Sequence, residues 1–131
     1  MRANKNSVMN LMTVFLIICF LSGCSAIPIK PDNSQVFDQP IDAVQNAAHD
    51  ALSVTGFRVK KAEPFYIEGY RPRTWGFLCS PGGETAGIWL EQLGPSKTNV
   101  SVSTAISSFG ALCQKDWTQM IYSEMNKTLS K

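Results

Sequence analysis

The sequence predicts an α+β domain: a four-stranded antiparallel meander with two helices packed on one face, in the order α-β-β-β-β-α. Three observations predict it. Apolar residues recur at three- and four-residue spacing from Ile41 to Leu52, then switch to alternation just after Gly56. The alternating segments that follow are mostly joined by short Pro- and Gly-bearing turns, which favour antiparallel neighbours. Helical spacing returns after Asp116. One-sided helices and one-faced strands can bury themselves only by stacking both helices on the same face of the sheet. Composition agrees with a folded chain, at 44% hydrophobic and 17% charged residues, and 131 residues hold one domain rather than two.

The first helix and its lead-in run from Phe37 to Thr55. Pro40 suits a first turn, and Asp38 and Asp42 sit near the positive end of the dipole. Ile41, Val44, Ala48, Ala51 and Leu52 form its apolar stripe. Gly56 supplies a left-handed C′ residue, with Phe57 at C″ able to pack back on Leu52, as in a Schellman cap. Phe57 and Val59 then alternate with Arg58 and Lys60, a half-buried strand with a basic outer face. Glu63-Pro64 ends it. Phe65–Tyr70 resumes with Phe65 and Ile67 on one side and Tyr66, Glu68 and Tyr70 on the other. Arg71 to Gly83 reads as a long loop carrying Trp75, Phe77 and Cys79. Thr85–Leu93 is a third strand, Gly94-Pro95-Ser96-Lys97 a turn, and Thr98–Ile106 a fourth strand with Val100, Val102 and Ile106 on one face. Ser107–Leu112 connects to a helix capped by Asp116, with a stripe of Trp117, Met120, Ile121, Met125 and Leu129. Lys127 and Lys131 lie toward its negative end.

The chain begins differently. Arg2 and Lys5 precede the apolar run Leu11–Leu21, and small residues follow: Ser22, Gly23, Cys24, Ser25 and Ala26. A charged head, a short apolar core and a small-residue cleavage zone make a secretory signal. The competing reading, an uncleaved spanning helix, needs roughly 18–20 apolar residues and a generous count from Val8 to Ile29. The tetrapeptide Leu21-Ser22-Gly23-Cys24 resembles the lipobox of bacterial lipoproteins. The resemblance implies cleavage before Cys24, a diacylglyceryl group on its thiol, and usually acylation of the new amine, with palmitate-class chains. Ser25, standing where an aspartate would favour the inner membrane, implies the periplasmic face of the outer membrane. Because each buried CH₂ adds about 0.8 kcal/mol, two or three chains would make dissociation negligible. The chain therefore divides into a signal peptide (1–23), a lipidated N-terminus and linker (24–36) and the α+β domain (37–131). Two prolines and several polar residues after Cys24 mark that linker, which reaches about 40 Å if fully extended.

Ala48–Tyr70, with its helix end, Leu52-x-x-x-Gly56-Phe57-x-Val59 and an aromatic hairpin with Gly69-Tyr70, resembles small lipoprotein domains of the helix-grip, BamC type. The resemblance spans one helix and two strands and implies the fold rather than an activity. The chain departs from that pattern in having one domain and a cysteine pair.

Of four cysteines, Cys19 leaves with the signal and Cys24 carries lipid. Cys79 and Cys113 are an even pair in an exported chain, and a structural disulfide is their expected fate. A metal site would need more ligands than these and the single His49, and a redox pair more typically takes a Cys-x-x-Cys form. No cofactor or metal is expected. Removing Arg2 and Lys5 from the 12 basic residues leaves 10, against 10 acidic ones, so the mature chain has no global attraction to nucleic acid.

Catalytic residues are not nominated. His49 falls on the outer or flanking side of its helix, and Glu63, Glu68, Glu84 and Glu91 are scattered over strands and turns. Ser80-Pro81-Gly82-Gly83 lacks the lysine and helix of a phosphate loop. One cluster remains as a partner or ligand surface: Arg71, Arg73 and Trp75, with Tyr70 beside them and Arg58, Lys60 and Lys61 on the preceding strand. The bland reading of that cluster, a solvated strand face with Trp75 covering the sheet, competes with binding of acidic headgroups, wall carboxylates or an acidic protein. The expectation is a membrane-anchored, non-enzymatic envelope lipoprotein that binds a protein partner. The alternative is an inhibitor or binding module for an envelope hydrolase or a cell-wall fragment.

Overall fold

The computed structural model describes residues 27–72, 83–105 and 115–130. In chain order the elements are β1 (Gln35–Phe37), α1 (Ile41–Val54), β2 (Arg58–Glu63), β3 (Tyr66–Arg71), β4 (Glu84–Gly94), β5 (Lys97–Ala105) and α2 (Thr118–Leu129). All neighbours in the sheet are antiparallel, in the order β1-β5-β4-β3-β2. The α+β class and the β2-to-β5 meander match the prediction. The sheet has five strands, however, not four.

The additional strand comes from Gln35 and Val36, read as linker, and Phe37, read as helix lead-in. Three residues are too few to display a period, and this strand exists because β5 offers it an edge: Gln35 pairs with Val100 and Phe37 with Thr98. Phe37 is thereby buried. The Thr98 hydroxyl donates to the Gln39 carbonyl at 3.0 Å, securing the turn into α1.

Helix α1 starts at Pro40, the N-cap, and ends in the predicted cap. Gly56 adopts φ +86°. Its N–H donates to Ser53 O at 3.0 Å and that of Phe57 to Leu52 O at 2.8 Å, the two bonds of a Schellman motif. Leu52 and Phe57 then converge over β3 at Gly69, where an added Cβ would stand 2.9 Å from Leu52 Cδ2 and 3.0 Å from Phe57 Cβ. A bare backbone there lets the end of α1 lie on the sheet. At the other helix, the Asp116 carboxylate accepts from the Thr118 N–H at 2.9 Å, with Trp117 as the N-cap residue.

Strand alternation sends Ile67, Ala86, Ile88, Leu90, Val100 and Val102 to one face. There they form a single core with Val44, Ala48, Ala51 and Leu52 of α1 and Ile121 and Met125 of α2. Fully burying one such large aliphatic side chain contributes about 1.5–3 kcal/mol. Strands lie about 4.8 Å apart and packed helices 8–10 Å apart, so two helices cover roughly four strands. One edge must stay bare. Phe37 claims the cover at β1, and β2 is left exposed at all six residues, with a bulge between Val59 and Lys61. The expected half-buried first strand is thus corrected: Phe57 is buried before the strand begins, while Val59 is exposed. Phe65, expected inside, stands exposed in the two-residue turn.

Met120 is likewise exposed, and Tyr122 packs against the core instead. Its hydroxyl donates to Val100 O at 2.9 Å and accepts from the Val102 N–H at 3.1 Å. These are backbone groups on the β5 edge just past Gln35, where β1 stops, and the phenol satisfies both. Burial raises the Tyr122 pKa, opposed by the donating Val102 N–H. Tyr122→Phe takes the partner from the Val102 N–H and is expected to cost about 1–3 kcal/mol, read as a lower urea midpoint at unchanged slope.

The chain before β1 is not free throughout. Pro28 is buried, and an added Cβ on Gly87 would lie 3.0 Å from its Cγ. Gly87 pairs with Glu68 and Ser103 in the middle of β4, on the sheet face away from the helices. Part of the predicted linker is therefore docked on that outer face, beside Trp89.

Candidate interaction site at one end of the sheet

Arg71 ends β3 and Glu84 begins β4, and the two are Cα partners. Both project to the helix side, where Arg71 Nη1 meets Glu84 Oε2 at 3.2 Å. Trp117 arrives from the start of α2 and donates its indole N–H to the same oxygen at 3.0 Å. The Lys115 backbone N–H donates to Glu84 Oε1 at 3.3 Å. Trp117 is held from its main chain as well, its N–H donating to Thr104 Oγ1 at 3.2 Å.

The indole is then flanked by charge. The Arg71 guanidinium lies 4.2 Å from its ring centroid and the Lys115 ammonium 4.8 Å, while Phe57 meets it edge-on at 6.0 Å. Two cations on one indole are attracted by its quadrupole, and Glu84 neutralises one of them. Glu84 has its side chain only 12% exposed and accepts from three donors. The arrangement ties the start of α2 to the ends of β3 and β4 and presents positive charge on an aromatic platform. Glu84→Ala strips the indole N–H and the guanidinium of their shared partner. It should cost about 2–3 kcal/mol, measurable by thermal or urea unfolding.

Of the predicted surface residues, Arg71 is here. Arg73 and Trp75 lie outside the described residues, as do Cys24, Cys79 and Cys113. The wider basic cluster is divided by strand alternation. Tyr70 points to the outer face, where the Lys60 ammonium sits 4.3 Å from its ring centroid. Lys61 lies 5.6 Å from the Tyr66 ring and pairs with Glu63 at 2.8 Å. Tyr66 also packs on Trp89 at 5.2 Å and donates to Glu68 Oε2 at 2.9 Å. Burial, and then that carboxylate, push the Tyr66 phenol well above its usual range. Arg71 thus belongs with Trp117, not with Tyr70 and the lysines.

Trp117, Glu84 and Lys115 are the residues that sequence reasoning missed. Trp117 has the spacing of a core residue, and Glu84 looks like one scattered acid among several. The available signal was positional: Arg71 and Glu84 bracket the long loop with opposite charges.

Of the four scattered glutamates, Glu63 and Glu68 neighbour each other around Lys61 and Tyr66, while Glu84 and Glu91 stand elsewhere on the sheet. Glu63 pairs with Lys61, Glu68 accepts from Tyr66, Glu84 holds Arg71, and Glu91 accepts from Asn99 Nδ2 at 3.4 Å. His49 is half-buried on α1. Among the described residues no three His, Cys, Asp or Glu side chains are grouped to hold a metal. A cleft of about 640 Å³ between the helix ends is lined by Asp50, Ser53, Val54, Glu124, Lys127, Thr128 and Ser130. Among the described residues no helix is long and apolar enough to cross a membrane. No protein-family model and no curated protein matches the chain.

Proposed function

We propose that the chain is an exported lipoprotein, held by acyl chains on Cys24 at the periplasmic face of the outer membrane, whose folded part is a non-enzymatic protein-interaction or assembly accessory domain. One observation carries the reading: Leu21-Ser22-Gly23-Cys24 follows a charged head and an apolar run at the spacing of a lipobox. The interaction role is supported by the end of the sheet at Arg71. Two segments spring from there, 73–82 with Arg73 and Trp75, and 106–114. Their flanking residues form the charged aromatic platform of Arg71, Lys115 and Trp117. Arginine and tryptophan are the side chains that most often anchor protein interfaces.

The structural disulfide between Cys79 and Cys113 is part of the same proposal. Thr85 and Ala105, which lie near the described ends of the two segments, are Cα partners. A bridge there would hold them as one rigid surface.

The paired cations around Trp117 favour one second reading, capture of a carboxylate-bearing wall fragment or of an acidic hydrolase surface. Cross-linking in intact envelopes, followed by purification of the full chain, tests both readings. A protein partner recovered with the native chain and lost with Arg73→Glu plus Lys115→Glu is the expected result. Recovery of anionic glycan fragments with the same charge dependence would shift the assignment to the second reading. Recovery of neither would remove the interaction role.

A further inference from the structure

We infer that the outer face of the sheet, the one away from both helices, is apposed to the headgroup layer of the membrane that holds the Cys24 lipid. The inference rests on the proposed lipid attachment and deepens it, because the docked strap converts an anchor point into an orientation. Pro28 is buried against Gly87 at the middle of the outer face. Only four peptide steps separate it from Cys24, which span at most about 14 Å. A free linker of a dozen residues would reach about 40 Å and let the domain turn in any direction. Docking removes both freedoms. The centre of this face must stay close to the acylated sulfur, and the helices, on the opposite side of the sheet, must point away from the bilayer.

The chemistry of the face suits that position. Ile27 and Ile29 flank Pro28 and are 80% and 81% exposed, two large aliphatic side chains without protein cover within a few residues of the lipid. Lys30 follows them, exposed. Lys60 and Lys61 lie over Tyr70 and Tyr66 on the same face. Aliphatic groups at the acyl boundary, aromatic rings at headgroup level and lysines above them are the pattern of an interfacial surface. The acids of this face are engaged within it, Glu63 by Lys61, Glu68 by the Tyr66 hydroxyl and Glu91 by Asn99. The Arg71 end of the sheet is then presented sideways, clear of the bilayer, where a protein can approach it.

The test uses the full lipidated chain in vesicles of phosphatidylethanolamine and phosphatidylglycerol doped with a nickel-chelating lipid. Nitroxide labels are placed singly through Lys60→Cys and Glu91→Cys on the outer face and through Asn46→Cys and Asp50→Cys on exposed α1 positions. Relaxation enhancement by the surface nickel should be several-fold larger at the first two. Pro28→Asp, which adds charge to the buried strap without touching a strand, should erase the difference while the far-ultraviolet dichroism is unchanged. Gly87→Val, which fills the space that Pro28 Cγ approaches, should do the same. Equal enhancement on both faces, or more at α1, in a chain whose Cys24 is shown by mass to be acylated would overturn the orientation alone. An unacylated Cys24 in a chain that does not hold to vesicles would overturn the attachment and the orientation together.

Discussion

Cys24→Ala is expected to abolish acyl incorporation and signal cleavage and to remove the chain from the outer-membrane fraction, while leaving the fold of the described residues unchanged. The magnitude follows from the alternatives available for attachment. At about 0.8 kcal/mol per buried CH₂, a second long acyl chain turns marginal, reversible binding into stable anchoring. The basic and acidic residues after residue 23 balance and give no long-range attraction to an anionic surface, and the exposed Ile27 and Ile29 add contact rather than an anchor. The run Leu11–Leu21 would span only about 16 Å as a helix, roughly half the hydrocarbon thickness. Labelled fatty acid incorporation, a mobility shift on processing, and density fractionation give three independent readouts. A Cys24→Ala chain that is processed normally and remains tightly bound would sink the proposed address.

Breaking the proposed Cys79–Cys113 bridge should give the largest stability change, about 3–4 kcal/mol for a closed loop of roughly 35 residues. Against a total of about 5–15 kcal/mol for a domain, that is a large share. The geometry of the described flanks permits the bond. Cys79 is five residues before Glu84 and Cys113 two before Lys115, reaches of about 18 Å and 7 Å. The carboxylate of Glu84 and the N–H of Lys115 are themselves hydrogen-bonded at 3.3 Å. The two loop ends are thus already together, and a bridge requires only that the Cα atoms come within about 7 Å. Cys113→Ser, Cys79→Ser and the double variant should all lower the urea midpoint by the same amount, because any one of them opens the loop. Reductant should lower the native midpoint equally and leave the variants unmoved. Two titratable thiols in the oxidised, folded chain would refute the pairing.

How much of this was legible in the sequence can be seen at particular residues. The cap of α1 was legible because it is local: Gly56 and Phe57 act on carbonyls three and five residues away, a range that a linear reading covers. The β2-to-β5 meander was legible because short turns and a two-residue period report on neighbours in sequence. The strand β1 was not, since three residues carry no period and their pairing partner, Val100, lies more than sixty positions downstream. Tyr122 was missed for the same reason. Its hydroxyl serves backbone groups on another element, and helical spacing alone reads Met120 into the core in its place.

The candidate interaction site divides along the same line. Sequence by itself determined the charge balance, the class of fold and the end of the first helix, and it carries the proposed export signal and acylation site, because each depends on composition or on contacts within one turn. Only the tertiary structure decided that Arg71 faces Trp117 and Glu84 rather than Tyr70 and the lysines, that β2 is the uncovered edge, and that Pro28 lies across Gly87. Those outcomes depend on which strands adjoin, which face each side chain takes and how much sheet two helices can cover, and these are quantities that exist only once distant segments have packed together.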